Sequence, residues 1–406
     1  MNMAKISGLA LACLLAGASY ASAGAKIITF APSSKLADRI SAVENAGGTV
    51  TKDLHIINAL AAVFPDNVKD GAIYAMKSVR NVEEDLYLKW IEEAPEALPL
   101  SYAADSIGRL KEGGPADAEL LPVPAKPVVS PEEKEIPWGV KRVNAPGVWN
   151  ATMGEGVTVA IIDTGMDYTH PDLARNYAGG YNAVKPETPP LDDHGHGTHV
   201  SGTIGAIRDR QGVAGVAPNV KLYAVKVLDA NGSGSYSNIV DGIQWAADNK
   251  IQVINMSLGG GSGTPALAAV MTAADKAGVT IVCAAGNDSG PVGFPAKYPE
   301  AIAISASDSS DKIASFSSRG AEIAFIAPGV DIYSTYKGGS YKKLSGTSMA
   351  SPHVAGLAAL AVASGADTPV KVKAALKKAA SSIGLKPTEE GAGMINAATL
   401  AGIQTH

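Results

Sequence analysis

Apolar positions in this chain group in two ways. Short, nearly unbroken apolar runs occur at Val157–Ile162, Leu222–Val227, Val253–Met256, Val279–Ala284 and Ala301–Ser305. Between them, stretches such as Ser237–Asn249 and Thr264–Ala277 space their apolar residues at the helical period. Strands without polar alternation are buried on both faces. Their alternation with helices therefore predicts an α/β fold over 133–406, a mostly parallel sheet with helices on both faces. A further run, Met349 to Ala363, is apolar all round and predicts a buried helix. In such sheets chemistry collects at the carboxyl ends of strands, where Asp163 and Asn287 fall.

Upstream the pattern differs. Residues 24–91 predict a small α/β domain. It has a strand from Lys26 to Ala31, a helix from Lys35 to Asn45 stopped by Gly47-Gly48, and strands at Thr49–Leu54 and Ala59–Phe64. A short helix after Pro65 and a last strand from Val79 to Leu88 complete a β-α-β-β-α-β order, which is ferredoxin-like. Residues 92–132 lose all periodicity under Pro95, Pro99, Pro115, Pro122, Pro124 and Pro127 and read as an exposed linker. Residues 1–23 have the form of a signal peptide: Lys5, an apolar segment from Ile6 to Leu15, and Ala21-Ser22-Ala23 for cleavage. That segment is too short to span a bilayer, and no other run could. The expectation is export, either outside the cell or into a periplasm, with no stable membrane span.

Charge and cysteine content narrow the classes further. A net charge of −5 provides no basic footprint, so nucleic acid is not an expected partner. Of the 2 cysteines, Cys13 lies in the leader and Cys283 in an apolar strand. The exported chain then has no internal disulfide and depends on packing, with help from metal.

Three kinds of polar side chain stand at junctions of this pattern. Asp163 ends the strand Val-Ala-Ile-Ile-Asp, and a carboxylate there is costly to desolvate without a partner. His194, His196 and His199 cluster where a loop becomes a helix. Ser348 follows the turn Ser345-Gly346-Thr347 at the start of the buried helix, close to amides that lack intrahelical acceptors. Read alone, Ser348 is an N-cap and Asn287 a turn residue. Together, an acid, an imidazole and a hydroxyl are what an activated serine nucleophile requires. Their order along the chain, acid then histidine then serine, is the subtilisin order.

The chain resembles the subtilisin-like serine proteases, the subtilases, over nearly everything after Ile136. The matching motifs are Asp163-Thr164-Gly165, His170-Pro171-Asp172-Leu173, His196-Gly197-Thr198-His199-Val200, Ser257-Leu258-Gly259-Gly260, Ala285-Gly286-Asn287 and Gly346-Thr347-Ser348-Met349-Ala350. The resemblance implies a serine endopeptidase acting on peptide and protein substrates. In it Asp163 orients the base, His196 is the base, Ser348 is the nucleophile and Asn287 donates to the oxyanion. His199 is then a packed neighbour and His194 a loop residue. By the same resemblance Gly232, Ser233 and Gly234 on one side, and Ser257, Leu258 and Gly259 on the other, bracket an extended peptide by β-pairing. Gly293 marks the floor of the first specificity pocket, with Asp288 and Ser289 beside it.

The resemblance also implies structural Ca2+ and no organic cofactor. The segment Ile207-Arg208-Asp209-Arg210-Gln211-Gly212-Val213 with Asp172 matches the family's calcium loop. Its ligands would be Asp172, Ile207, Asp209, Gln211 and Val213. A side-chain amide usual ahead of the Pro-aromatic-Gly start is replaced here by Lys134. The stretch Val79 to Asp85 resembles the end of the family's inhibitory propeptide, with the first cut near Trp90 or Ile91. Residues 24–91 would then be an intramolecular chaperone and inhibitor. Inhibition within one chain needs no second copy, which favours a monomer.

Three rival readings share fragments with this one. Asp163-Thr164-Gly165 and Asp288-Ser289-Gly290 spell an aspartic-protease motif, but that chemistry needs a largely β, two-lobed fold. His194, His196 and His199 could form a zinc cluster, which would leave Ser348 and Asn287 without a role. A retired protease fold could also act as an exported binding protein.

Overall fold

The structure, a computed structural model, describes residues 24–91, 136–209, 211–260 and 262–402. The expected leader with Cys13, the linker 92–132, Lys134 and Arg210 lie outside the described residues. Residues 24–91 contain β1 (Ala25–Phe30), α1 (Leu36–Asn45), β2 (Thr49–Leu54), β3 (Ala59–Val63), α2 (Asp70–Tyr74) and β4 (Val79–Glu84). The strands form an antiparallel sheet in the order β2-β3-β1-β4, as the ferredoxin-like expectation requires. Strand alternation gives this sheet two apolar faces. Ile28, Phe30, Leu60 and Ala62 pack on Val43 and Ile73 of its own helices. Ile27, Leu54, Ala59 and Ala61 face the other way and join a core cluster of the larger region.

The single strand expected from Val79 to Leu88 is instead two. Beyond β4 the chain leaves its sheet at Asp85, and β5 (Tyr87–Lys89) pairs antiparallel with β9 (Ser233–Ser235). There the Asp85 N–H still donates to Ala25 O of β1 (2.9 Å), while its carboxylate accepts hydrogen bonds from Ser237 N (2.8 Å) and Ser237 Oγ (2.6 Å).

After β6 (Thr158–Asp163) come β7 (Tyr177–Asn182), α3 (His196–Gly205), β8 (Lys221–Lys226), β9, α4 (Tyr236–Asp248) and β10 (Val253–Met256). Next are α5 (Pro265–Lys276), β11 (Thr280–Ala284), β12 (Ala301–Ser307), β13 (Ile323–Pro328), and the hairpin β14 (Ile332–Tyr336) and β15 (Ser340–Leu344). The chain ends with α6 (Thr347–Ala363), α7 (Pro369–Ala379), β16 (Ala380–Ser381) and β17 (Met394–Ile395). A 9-stranded sheet runs β16-β17-β13-β12-β11-β10-β6-β8-β7, parallel except for the β16–β17 pair.

Each strand feeds both faces. Val159 and Ile161 pack in the cluster with α3 and α6, whereas Ala160 and Ile162 pack in the cluster with α4 and α5. The predicted α/β class is the observed one. β7 and the β14–β15 hairpin carry too much glycine, charge or tyrosine to show as apolar runs; β13, Ile-Ala-Phe-Ile-Ala-Pro, is itself an apolar run that the strand pattern above left out. Strand order reverses between β6 and β10. The crevice at the carboxyl ends of these strands is where a ligand site is expected in such a sheet.

Candidate active site

Asp163 is the last residue of β6 and is fully buried. Its carboxylate accepts from Thr164 N at 2.7 Å and lies 2.8 and 3.0 Å from His196 Nδ1. Those contacts supply the partner that a buried strand-end acid needs. They also place the proton of a neutral His196 on Nδ1, leaving Nε2 as the acceptor. His196 is the first residue of α3 and is 5% exposed.

The other two histidines are placed differently. His199 is wholly buried, with Nε2 2.9 Å from Ile332 O and 3.0 Å from Lys342 O. Burial, with the neighbouring His196, lowers its pKa to about 3, so it is neutral and structural. His194 is in the loop, where its carbonyl accepts from Tyr336 Oη. Among the described residues no group of three or more His, Cys, Asp or Glu is placed to hold a metal, which removes the zinc reading. A parallel sheet likewise removes the aspartic-protease reading.

Ser348 is not an N-cap. Gly346 holds that position, and Ser348 is the second residue of α6. The local lock comes from a proline. Pro352 lies inside α6 without an N–H, so the carbonyl four residues back, that of Ser348, has no helical donor. Ser257 Oγ fills the gap at 2.8 Å, and Ser348 Oγ donates in return to Ser257 O at 3.1 Å. Asn255 Nδ2 orients Ser257 from behind at 2.9 Å. β10 thus fixes the serine through a reciprocal pair.

Asn287, beyond the end of β11, accepts at Oδ1 from Thr347 N (2.8 Å) and Thr347 Oγ1 (2.9 Å). This fixes its amide with the NH2 group on the side away from Thr347. Asn287 and Ser348 line one cleft of about 250 Å³ together with Gly259, Gly293, Asp288 and Trp90. Leu258 lines it too and is buried, and Gly293 is tied by its N–H to Ala285 O at 3.0 Å. A Cβ added at Gly293 would come no nearer than 3.8 Å to another heavy atom, so the wall there is open. A bond to Ser318 Oγ at 2.6 Å holds the Asp288 pKa below the usual carboxylate range.

The cleft holds the chain's own segment. β5 pairs with Ser233, Gly234 and Ser235. Trp90 N donates to Gly232 O (2.9 Å), and Gly259 N donates to Trp90 O (3.0 Å). The Trp90 indole is 1% exposed, bonds to Gly234 O at 2.9 Å and meets Tyr236 edge to face at 5.0 Å. The backbone of Trp90 thus lies between Gly232 on one side and Gly259 on the other.

Away from the cleft, Asp172 is buried, and its Oδ2 accepts from Val213 N and Tyr341 Oη, both at 2.9 Å. Burial raises its pKa, and the charge of Asp209 adds to the rise. Ile207 N is bonded to Asp172 O, and Asp209 accepts from Gln211 N. The expected calcium residues are thus folded around one loop, with two acids close enough to repel. That donor set suits a hard, oxygen-seeking cation.

A buried acid–imidazole pair at the end of β6, with a locked serine and an oriented asparagine that share one cleft, supplies the groups a serine endopeptidase uses. Residues 154–398 match the Subtilase family, and the chain belongs to it. The chain is similar to subtilisin E of Bacillus subtilis (strain 168), 41% identical over 325 residues covering 78% of this chain and 74% of the relative. It is also similar to subtilisin of Bacillus pumilus, 50% identical over 234 residues (56% of this chain, 84% of the relative). Subtilisin Savinase of Lederbergia lenta is 46% identical over 267 residues (65% of this chain, 98% of the relative). Among the described residues no helix is long and apolar enough to cross a membrane.

Proposed function

We propose that this subtilase is an exported protease made as a self-processing zymogen, cutting peptide bonds through an acyl-enzyme on Ser348. His196 Nε2 takes the Ser348 proton as the hydroxyl attacks the scissile carbonyl, then returns it to the leaving amine. Asp163 holds the imidazole tautomer and steadies its positive charge. Asn287 Nδ2 and the Ser348 backbone N–H, at the positive end of α6, stabilise the oxyanion. Substrate lies extended between Gly232–Gly234 and Ser257–Gly259, with Gly293 leaving room for a large side chain. The single observation that carries this reading is the Asp163–His196 pair at 2.8 Å on the edge where Ser348 and Asn287 share a cleft.

Residues 24–91 are the inhibitory propeptide in this reading, supported by the tail paired into the cleft. The resemblance places the first cut near Trp90 or Ile91, and residues 1–23 direct export. Asp172 and Asp209, with carbonyls of Ile207, Gln211 and Val213, would hold Ca2+, which supplies rigidity to the loop and takes no part in the chemistry. The test is expression of full-length Ser348→Ala beside the wild type. The wild type is expected to separate into two fragments, while Ser348→Ala stays uncut. Equal processing of both would overturn the reading in favour of a retired fold.

A further inference from the structure

Asp192 lies in the loop ahead of His196 and is 5% exposed. The neighbouring Lys226 ammonium bonds to Asp193, Thr164 O and Leu228 O, so it does not neutralise Asp192. A buried carboxylate is costly unless it is saturated with hydrogen bonds, and this one is. Oδ1 accepts from Thr164 Oγ1 (2.8 Å), His194 N (3.0 Å) and Gly195 N (2.8 Å), and Oδ2 accepts from Thr198 N (2.8 Å) and Thr198 Oγ1 (2.6 Å).

These donors frame the base. Thr164 follows Asp163, Gly195 precedes His196, and Thr198 lies in the first turn of α3. Gly197 N donates to Thr164 Oγ1 at 3.0 Å, so the residues on both sides of His196 are tied through one carboxylate and one hydroxyl to the strand end carrying Asp163. The approach is close: a Cβ at Gly197 would lie 2.1 Å from Gly165 O. Gly195, the N-cap of α3, has no side chain to cap it. Asp192 and Thr164 therefore satisfy the first-turn amides from outside the helix.

We propose that Asp192 is a positioning residue for the reaction proposed above. Acting with Thr164 Oγ1, it sets the angle at which His196 meets Asp163 on one side and Ser348 on the other. This rests on His196 being the base. Small displacements of an aligned base cost turnover without costing substrate binding.

The test uses the processed enzyme on a peptide substrate, with turnover expressed per titrated active site. Asp192→Asn puts an NH2 group against N–H donors, and Thr164→Val removes the hydroxyl. Each is expected to lower kcat by about 10- to 100-fold while KM stays within about twofold. Each should also broaden or shift the low-field proton resonance of the His196–Asp163 hydrogen bond. Thr164→Ser, which keeps Oγ, should recover most of the turnover lost in Thr164→Val. The inference is overturned if kcat per active site is unchanged, or if it falls while the low-field resonance stays as in the wild type. If Asp192→Asn does not fold, the Thr164 pair decides by the same readouts. His196→Ala is run alongside: full activity there would remove the base assignment itself, a separate failure.

Discussion

Asn287 shows how one residue acquires a role from its neighbours. In a loop of Ala-Ala-Gly-Asn it has the composition of a turn, yet its side-chain oxygen is taken by Thr347 N and Oγ1, which orients the amide. In the proposed reaction Asn287→Ala removes one oxyanion donor and leaves the backbone donor of Ser348. Loss of one such donor in subtilisin costs about 10²–10³ in turnover, and a loss of that order is expected here. Steady-state kinetics should show it in kcat with KM little changed; a change confined to KM would instead mark Asn287 as a binding residue. The histidines make the complementary point. His196 and His199 sit one helical turn apart, but only His196 meets a carboxylate, while His199 is sealed under the β14–β15 hairpin.

At the scale of elements, two helices are capped from outside. In α4, Ser235 Oγ accepts from Asn238 N, Asp85 accepts from Ser237 N, and Leu86 O accepts from Tyr236 N. In α5, Thr264 Oγ1 accepts from Leu267 N and Glu83 Oε1 accepts from Ala266 N. In both helices the local residue satisfies the third amide, and an acid of the N-terminal region satisfies the second. Loss of a capping side chain costs about 1 kcal/mol. Asp85→Ala is therefore expected to weaken docking of the N-terminal region by roughly fivefold. Faster release of the cleaved fragment, followed by size-exclusion chromatography, would show it. An unchanged release rate would mean that the apolar face of the small sheet carries the docking alone.

At the scale of the whole molecule, the interface between the small sheet and α4–α5 contains an acid that titrates near neutrality. Burial pushes Glu83 from the ordinary 4.5 to about 7, against the bond from Ala266 N and with a contribution from Asp85. Among the described residues the groups acting on it are Asp85, the phenols of Tyr236 and Tyr298, and the amide end of α5, with no lysine or arginine among them. A docked acid with a raised pKa takes up a proton between 4.5 and 7 that the undocked acid does not. Docking therefore strengthens as pH falls through that window and is weakest above it. Fragment release should be slower in mildly acidic buffer than above neutrality, and Glu83→Gln, permanently neutral, should flatten the dependence. Release faster in acid would reverse the sign and refute the argument. The proposed Ca2+ loop gives a separate test on another part of the fold: with Ca2+ bound there, a chelator lowers the melting temperature of wild type and leaves that of Asp209→Ala unaffected.

The sequence by itself determined the central apolar strands, the buried helix and the candidate reacting groups. Apolar periodicity and chemical type are local properties, so Val157–Ile162, Met349 to Ala363, Asp163 and Ser348 were legible without coordinates, while His196 was singled out from His194 and His199 by the family resemblance. Only the tertiary structure decided partners. That β5 leaves its own sheet for β9, that Ser257 answers the carbonyl released by Pro352, and that Asp192 ties both flanks of His196 are pairings between segments far apart in the chain or bent back on themselves. Hydrogen-bond partners and desolvation depend on where distant segments meet, and a one-dimensional pattern carries no record of that meeting.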